Sequence, residues 1–449
     1  MRHLLLTLFI FTVYAQAADS MQSWFEEGSL KANAKYYFIE TKKDKSGGSH
    51  TSAHANAIGG KLNYTTGMFN GLQAGATFMT THGFALPNAV DTSILSRDDG
   101  VRRAGSVGGT IAQDSLTVLG EAFVKYTYED FTALYGRKII STPLINAKDV
   151  RMLPSAVQGA FIEYKLAHDT RVGASYLTHF KQRTSDEFTN IVKHALGNNT
   201  QAITGSDEGE VIVLNSVYKS EQSSFQMVNY YAENFLNSLY LEAGFKNRLD
   251  SGISYKAQAQ YINQTSVSNA DNNLALAGSA TGGKRINANA FGLKMDLGYK
   301  ESGLTLAYTK VLSDANEHDA LVLPWDGTPL FTNMITSNNL FQSNYGNALN
   351  SDSVYIGGSA GIKLAYTQKY DFTGVKGFKT ALAMLNVNNN RFAHNQRDLN
   401  AVISYSVDEF SLALKGIWVR YNTSAGANGT INAQDDRLTQ YRVIANYKF

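Results

Sequence analysis

Three groupings among the 449 residues carry side chains that could do chemistry. Gly357-Gly358-Ser359-Ala360-Gly361 fits the G-x-S-x-G pattern of hydrolase nucleophile elbows. That chemistry needs the serine on a strained turn between a strand and a helix, whereas this run reads as strand with no helix after it. His50 and His54 could pair on a metal, but no third ligand lies nearby in their Gly/Ser-rich stretch, so a solvated loop is the expectation. Cysteine is absent, which excludes disulfides, thiolate metal sites and cysteine nucleophiles. No nucleophile–base pair emerges, so the expectation is a protein that is not an enzyme and uses neither metal nor cofactor. The third grouping is a set of lysines and arginines at alternate positions of short segments, and its meaning depends on the elements that carry it.

Those elements alternate with period two, as half-exposed strands do. The last nine residues set Tyr441, Val443, Ala445, Tyr447 and Phe449 on one face and Arg442, Ile444, Asn446 and Lys448 on the other. The same pattern recurs in Leu30-Ala32-Ala34-Tyr36-Phe38, in Leu72-Ala74-Ala76-Phe78 and in Val118-Ala122-Val124-Tyr126. It continues in Leu239-Leu241-Ala243-Phe245, Phe291-Leu293-Met295-Leu297-Tyr299, Ile362-Leu364-Tyr366 and Phe410-Leu412-Leu414-Trp418. Short turn-like connections (66–71, 129–130, 167–169, 219–223, 249–251, 300–303, 371–377, 407–409) alternate with long polar ones (41–53, 81–115, 141–156, 184–209, 265–286, 313–351, 388–397, 422–436). Only the connection near 232–237 is short where a long one is due. Short periplasmic turns alternating with long outer loops are the topology of outer-membrane barrels. The fold predicted is all-β: a transmembrane antiparallel barrel of nine hairpins, hence eighteen strands, with sixteen as the alternative.

Composition agrees. Glycine (38) and tyrosine (25) are abundant and proline (5) is scarce. The mean hydropathy is negative, and no linker divides a chain long enough for several soluble domains. A closed sheet with an apolar outside and a wet lumen needs polar residues on half of every strand. No stretch has the length of apolar sequence that a membrane-spanning helix requires. Residues 1–17 read as a signal peptide: Arg2 and His3, an apolar run over 4–14, then Ala15-Gln16-Ala17. Residues 18–449 are then one barrel domain in the bacterial outer membrane.

On this alternation the inward basic residues are Lys31, Lys35, Lys61, Lys125, Arg171, Lys181, Arg183, Lys246, Arg248, Lys256, Lys294, Lys363, Lys379, Lys415, Arg442 and Lys448. The inward acids are Glu121, Glu210, Glu242 and Asp296. The whole chain carries only +2, so the asymmetry is one of placement. A low-dielectric wall focuses such a field, and rows of Lys and Arg are how pores favour anions. In 141–156, Pro143 and Pro154 bar ladder pairing, while Leu144, Ile145, Met152 and Leu153 need a surface to bury against. That loop is expected to fold back on the inner wall, with Arg137, Lys138 and Arg151 opposing Asp149 at a constriction.

Tyr135-Gly136-Arg137-Lys138, Thr142-Pro143-Leu144, Asn146 and Asp149-Val150-Arg151-Met152-Leu153-Pro154 resemble the OprD family of outer-membrane specific porins. Gly59-Gly60-Lys61-Leu62-Asn63-Tyr64 and Gly28-Ser29-Leu30 with Tyr36-Tyr37-Phe38 are similar to its early hairpin and first strand. The likeness covers roughly residues 28–155; Lys35 departs from it, since the family's first strand often has arginine there. The resemblance implies an eighteen-stranded barrel with an inward third loop, a ladder of basic residues down the lumen, and diffusion of basic amino acids, peptides, carboxylates and other small organic compounds. A chain ending on Phe449 after Tyr441, Val443 and Tyr447 also resembles the signal by which the barrel-assembly machinery recognises its clients.

The expected function is passive diffusion of small hydrophilic solutes with a bias to small anions or carboxylates. The alternative is a surface-adhesion barrel whose loops bind partners, with Trp325, Phe331 and Phe341 in the loop 313–351 as its contact residues. Outer-membrane lipids and small solutes are the expected partners, a homotrimer is an expected assembly, and no basic block argues for nucleic acid.

Overall fold

The structure, a computed structural model, describes residues 20–84, 115–147, 150–166, 169–274, 284–335, 356–391, 393–423 and 434–449. The proposed signal peptide lies outside them. Eighteen long strands form one closed antiparallel sheet, with an extra two-residue strand. In chain order they are β1 (Ser29–Asp44), β2 (His50–Thr65), β3 (Leu72–Phe84), β4 (Ser115–Tyr128), β5 (Phe131–Lys138), β6 (Ala156–Lys165), β7 (Thr170–Lys181), β8 (Thr189–Asn190) and β9 (Val211–Lys219). There follow β10 (Ser223–Ala232), β11 (Leu236–Arg248), β12 (Ser254–Ser266), β13 (Asn287–Tyr299), β14 (Ser302–Val311), β15 (Ser359–Lys369), β16 (Phe378–Asn389), β17 (His394–Val407), β18 (Phe410–Thr423) and β19 (Gln434–Lys448). Each long strand pairs with its sequence neighbour, and β19 pairs with β1 from Asn33↔Lys448 to Asp44↔Arg437, so the sheet has no free edge. The short β8 is the extra one, capping the end of β7.

The outward face is apolar. Leu30, Leu62, Val124, Tyr135, Leu293 and Ile362 are all exposed, an arrangement stable only against lipid. At one end the connections shrink to two residues: Glu129-Asp130, Lys300-Glu301 and Asp408-Glu409. Their first residues sit at φ of 49°, 50° and 46°. Primed hairpin turns require that left-handed backbone because their twist matches the flanking strands.

Three local expectations are revised. The stretch 41–53 is mostly ladder, because β1 runs to Asp44 and β2 starts at His50, leaving only 45–49 as a turn. His50 Nδ1 lies 2.9 Å from Asp44 Oδ1, and His54 stands opposite Glu40 in the ladder. Among the described residues no group of three or more His, Asp or Glu is placed to hold a metal. Second, Val118 faces inward rather than outward. A bulge between Thr77 and Phe78 shifts the β3–β4 register by one residue. Such a slip exchanges the faces of a strand, so Val118 packs with Tyr37, Ile39 and Met79. Third, Ser359 opens β15 and is buried, its hydroxyl accepting from Asn389 Nδ2 at 2.9 Å. The strand continues to Lys369, so the strand–turn–helix context of a nucleophile elbow is absent at this serine.

Candidate functional site: the lumen and its inward loops

The loop 139–155 leaves the sheet and crosses to β1. Lys35 Nζ donates to Arg151 O at 2.6 Å and Tyr37 Oη to Val150 O at 2.8 Å. Met152 and Leu153 bury against Tyr37, Ile39, Ala55, Met79 and Leu116. At its other end Leu144 and Ile145 join a second apolar cluster with Phe180 and Trp325, and Leu144 N donates to Tyr230 Oη at 3.2 Å. The two prolines and four apolar residues read from the sequence thus sit against the inner wall. Asp149 lies outside the described residues.

Residues 312–335, which the sequence suggested as an exposed adhesive loop, also turn inward. Two glutamines on the lumen face of β12 hold them as a pairing strand would. Gln264 Oε1 accepts from Val322 N at 2.7 Å while its Nε2 donates to Val322 O at 2.9 Å. Gln260 Oε1 accepts from Phe331 N at 2.8 Å while its Nε2 donates to Pro329 O at 2.8 Å. Lys363 Nζ donates to Asn333 O at 2.8 Å. Trp325 is fully buried and its Nε1 donates to Ile191 O at 2.9 Å, at the start of the helix Ile191–Leu196. Phe341 lies outside the described residues.

Next to Trp325 is a three-loop junction. Asp326 forms an ion pair with Arg183, both side chains only 4% exposed, and accepts from Ser155 Oγ at 2.7 Å. Asn146 N donates to Trp325 O at 3.1 Å and Thr328 N to Pro143 O at 3.2 Å. The sequence placed Arg183 and Lys181 in a lumen ladder; the structure instead buries both under loops. Lys181 Nζ donates to the carbonyls of Gln182 and Ser185 at 3.0 and 3.1 Å. Arg183 thus ties its loop to 312–335 through Asp326, while Lys181 fastens the turn that follows its own strand.

The remaining basic positions separate into groups. Lys125 faces inward opposite Gln73 and Leu134, and Lys138 Nζ lies 4.8 Å from the Phe123 ring. Arg137 shares its strand face with Tyr135, which is 70% exposed to lipid. Its guanidinium nevertheless bonds Gln158 Oε1 at 3.1 Å and stacks at 4.3 Å on Phe188, which packs against the cluster of Tyr37, Met79 and Leu153. Lys294 pairs with Asp296 at 3.4 Å and faces the Phe331 ring. Lys246, Arg248 and Lys256 line a cavity of about 530 Å³ near the short turns, with Glu221 and Asp296. Arg171 stands 3.8 Å from Glu163. Glu163 is an inward acid missed by the sequence reading, whereas Glu210 lies beside the exposed Tyr176. Asp398 is another missed inward acid, buried on β17 with Gln396 Nε2 at 2.8 Å.

The densest positive group surrounds Tyr37. Lys35 Nζ lies 5.9 Å from its ring and binds Arg151 O, the Tyr37 hydroxyl binds the neighbouring Val150 O, and Arg442 stands opposite Lys415 two residues from Ile444, the partner of Tyr37. Arg442 is 1% exposed, and its Nε donates to Gln440 Oε1 at 2.7 Å. Its Nη1 and Nη2 have no hydrogen-bond partner among the described residues. Alternation on β19 turned Arg442 inward in the sequence, but nothing in it placed the inward loop at 150–151 against the same stretch of β1.

One group should make the inward segment 312–335 pH-sensitive. His318 sits where that segment crosses the connection before β13: its N donates to Arg285 O at 2.9 Å and its O accepts from Asn287 N at 3.1 Å. Burial, aided by Lys284 and opposed by Asp319, pushes its pKa down to about 4 from 6.5. Above pH 6.5 the ring is neutral whether docked or free, and docking carries no penalty. Between 6.5 and 4 only the undocked segment takes up the proton, so docking weakens as pH falls, by up to roughly 3 kcal/mol. Conductance and current noise should rise across that window, and His318→Gln should flatten the response. A wild-type channel indifferent to pH there would contradict this role.

A family model described as outer membrane porin, OprD family, matches residues 22–449. No curated protein matches the chain. Among solved structures, Pseudomonas aeruginosa OccK8 (OprE) superposes with a TM-score of 0.72 at 14% identity, covering 95% of this chain and 99% of its own. Acinetobacter baumannii OccAB1 gives 0.70 at 14%, covering 97% and 99%. Pseudomonas aeruginosa OpdK with vanillate gives 0.68 at 14%, covering 95% and 99%. These likenesses show the same barrel, and the match of the family model over nearly the whole chain shows that this protein belongs to the OprD family of outer-membrane porins.

Proposed function

We propose that this porin passes small hydrophilic solutes and favours those bearing a carboxylate or other negative charge. The observation that carries the reading is Arg442, almost wholly buried with two amino groups unbonded among the described residues, beside Lys415 on the neighbouring strand and near the Tyr37 stretch of β1 that holds Lys35 and Arg151. An ionisable side chain held inside a membrane protein without its own counter-charge costs folding free energy and points to use. Buried cations are poorly screened, so their field reaches into the lumen next to the inward loop and draws anions there. Vanillate, present with one structural neighbour, is an aromatic carboxylate and suits such a field. Lys125, Lys138, Lys246, Lys256, Lys294, Lys363 and Arg171 extend the basic lining, while Glu121, Glu163, Glu242, Asp296 and Asp398 temper it. Ion-selectivity measurement on single channels tests the reading: chloride should permeate more readily than potassium, and vanillate should enter vesicles faster than an uncharged phenol of like size. Potassium preference overturns it.

Within the same reading, Tyr441, Val443, Tyr447 and Phe449 are the recognition signal for the barrel-assembly machinery. Phe449 is exposed, packs edge-on to Tyr447 at 4.8 Å, and its N donates to Ala32 O at 2.9 Å. Phe449→Asp should lower outer-membrane levels while secretion into the periplasm continues. A charge near the interface costs only about 0–1 kcal/mol, so the purified variant should refold in detergent almost as well. Normal membrane levels would remove this role.

A further inference from the structure

Beyond the aromatic residues at the long-loop end, one sector of the lipid-facing surface carries a row of arginines. Arg397 stands directly opposite Arg420, and Arg420 opposite Arg437. All three are exposed and alternate with Leu399, Trp418 and Tyr441 on the outward face of β17, β18 and β19. Trp418 and Tyr441 meet edge-on at 6.1 Å. Arg420 is the next outward residue beyond Trp418, about 7 Å along the strand. Arg437 lies twelve residues from Phe449; at about 3.4 Å per residue and ~40° of tilt this is roughly 30 Å of height, just past an apolar band of about 25 Å. The row therefore stands at headgroup level of the outer leaflet.

Like charges directly opposite one another destabilise a sheet, so three adjacent arginines call for something negative. Asp435 supplies part of it, accepting from Arg420 Nε at 2.8 Å and Nη2 at 3.0 Å and from Arg437 Nη2 at 3.2 Å. The neighbouring charges neutralise themselves: Lys42 with Glu40 at 3.0 Å, His50 with Asp44 at 2.9 Å. Arg397 has no ion-pair or hydrogen-bond partner among the described residues. Elsewhere on the rim, β12 and β13 present Asn263, Asn287 and Asn289 beyond the outward Tyr261 and Phe291, and carry no charge there. Among the described residues, β12 and β13 thus show no counterpart of the cationic row.

We propose that this row docks the phosphate groups of an outer-leaflet glycolipid. Guanidinium groups grip phosphate oxygens in pairs. Asp435 holds Arg420 and Arg437 side by side, leaving their remaining N–H groups and the whole of Arg397 for the ligand. The surface below is continuous with the lipid-facing belt, so acyl chains would lie on Trp418, Tyr441 and Leu414 while the phosphates meet the arginines. Charge complementarity and this continuity select a lipid headgroup over free phosphate.

Native mass spectrometry of the full-length porin in mild detergent, titrated with bis-phosphorylated lipid A, tests the site. The wild type should retain the lipid, and lipid A stripped of its phosphates should bind at least tenfold more weakly. The variant Arg397→Gln/Arg420→Gln/Arg437→Gln should lose affinity to the same degree while keeping the heat-modifiable mobility of a folded barrel. Arg397→Gln alone, which breaks no bond in the protein, should lose at least threefold, and Lys448→Gln should lose nothing. Inorganic phosphate in tenfold excess should leave the lipid bound. Equal binding of phosphate-free lipid, undiminished binding by either arginine variant, or displacement by inorganic phosphate would overturn the proposal.

Discussion

Asp326→Ala is expected to raise single-channel conductance and current noise more than any other single change in the inward loops. Asp326 pairs with Arg183 from 182–188, accepts from Ser155 of 139–155 and belongs itself to 312–335. Its loss leaves a guanidinium buried at 4% exposure and Ser155 without its acceptor. Removing one partner of a buried pair costs about 3–5 kcal/mol. A short loop docked by a handful of hydrogen bonds at about 1 kcal/mol each cannot absorb that and should leave the inner wall. Removing both charges should be milder, because no orphan charge remains. The comparison of Asp326→Ala with Arg183→Met/Asp326→Leu therefore separates charge burial from simple loss of contact. A conductance unchanged in Asp326→Ala would mean that the junction does not restrict the pore, whatever it contributes to folding. Barrel integrity, read as heat-modifiable mobility, should survive, since the strand ladders do not involve this pair.

The barrel was legible because lipid imposes one rule on every crossing: alternate residues must be apolar. Leu30 to Phe38 and Tyr441 to Phe449 obey it, and strand number, turns and closure follow from repeating it. Where a bulge interrupts the count the rule misleads. Val118 has the right type for the lipid face but sits on the other one, because Gly120, the extra residue between Leu119 and Glu121 on β4, is invisible in composition. Glu163 and Asp398 were missed for a related reason: acids are expected in turns, and only the register turns them into the lumen. The loops were legible only where they advertised a need. Pro143, Pro154, Met152 and Leu153 announced a segment that must bury apolar surface without joining a ladder. Trp325 gave the same signal in 312–335, yet an aromatic in a long loop reads equally well as a contact for a partner. What settles it is Gln260 and Gln264, whose amides copy the backbone pattern of an adjoining strand. In sequence they are merely polar residues on a wet face. Ile145 with Trp325 and Arg183 with Asp326 are contacts between loops that no period links.

The charge around Tyr37 sets the second large expectation, a selectivity shift on changing Arg442. A unit charge about 4 Å away is worth ~1 kcal/mol in water and ~4 kcal/mol at the effective dielectric of a protein surface. Since 1.4 kcal/mol is a tenfold preference, Arg442→Glu, which moves the local charge by two units, should carry the reversal potential from the anion side to the cation side at 0.1 M salt. Arg151→Glu should shift it in the same direction, because Lys35 and Tyr37 hold residues 150 and 151 against the same stretch of β1. Lys448→Glu should do little: it is exposed at the periplasmic end, where solvent and ions screen it. Salt provides an internal check. The Debye length is about 10 Å at 0.1 M and 3 Å at 1 M, so a preference generated by the lumen field should fade at high salt in the wild type and in Arg442→Glu alike. Arg442→Gln should fall between the two, because it removes one charge and adds none. Equal shifts from Arg442→Glu and Lys448→Glu would mean that the cluster around Tyr37 is remote from the ion path. A wild-type preference for potassium would instead assign control to inward acids such as Asp398, and Asp398→Asn should then reduce that preference.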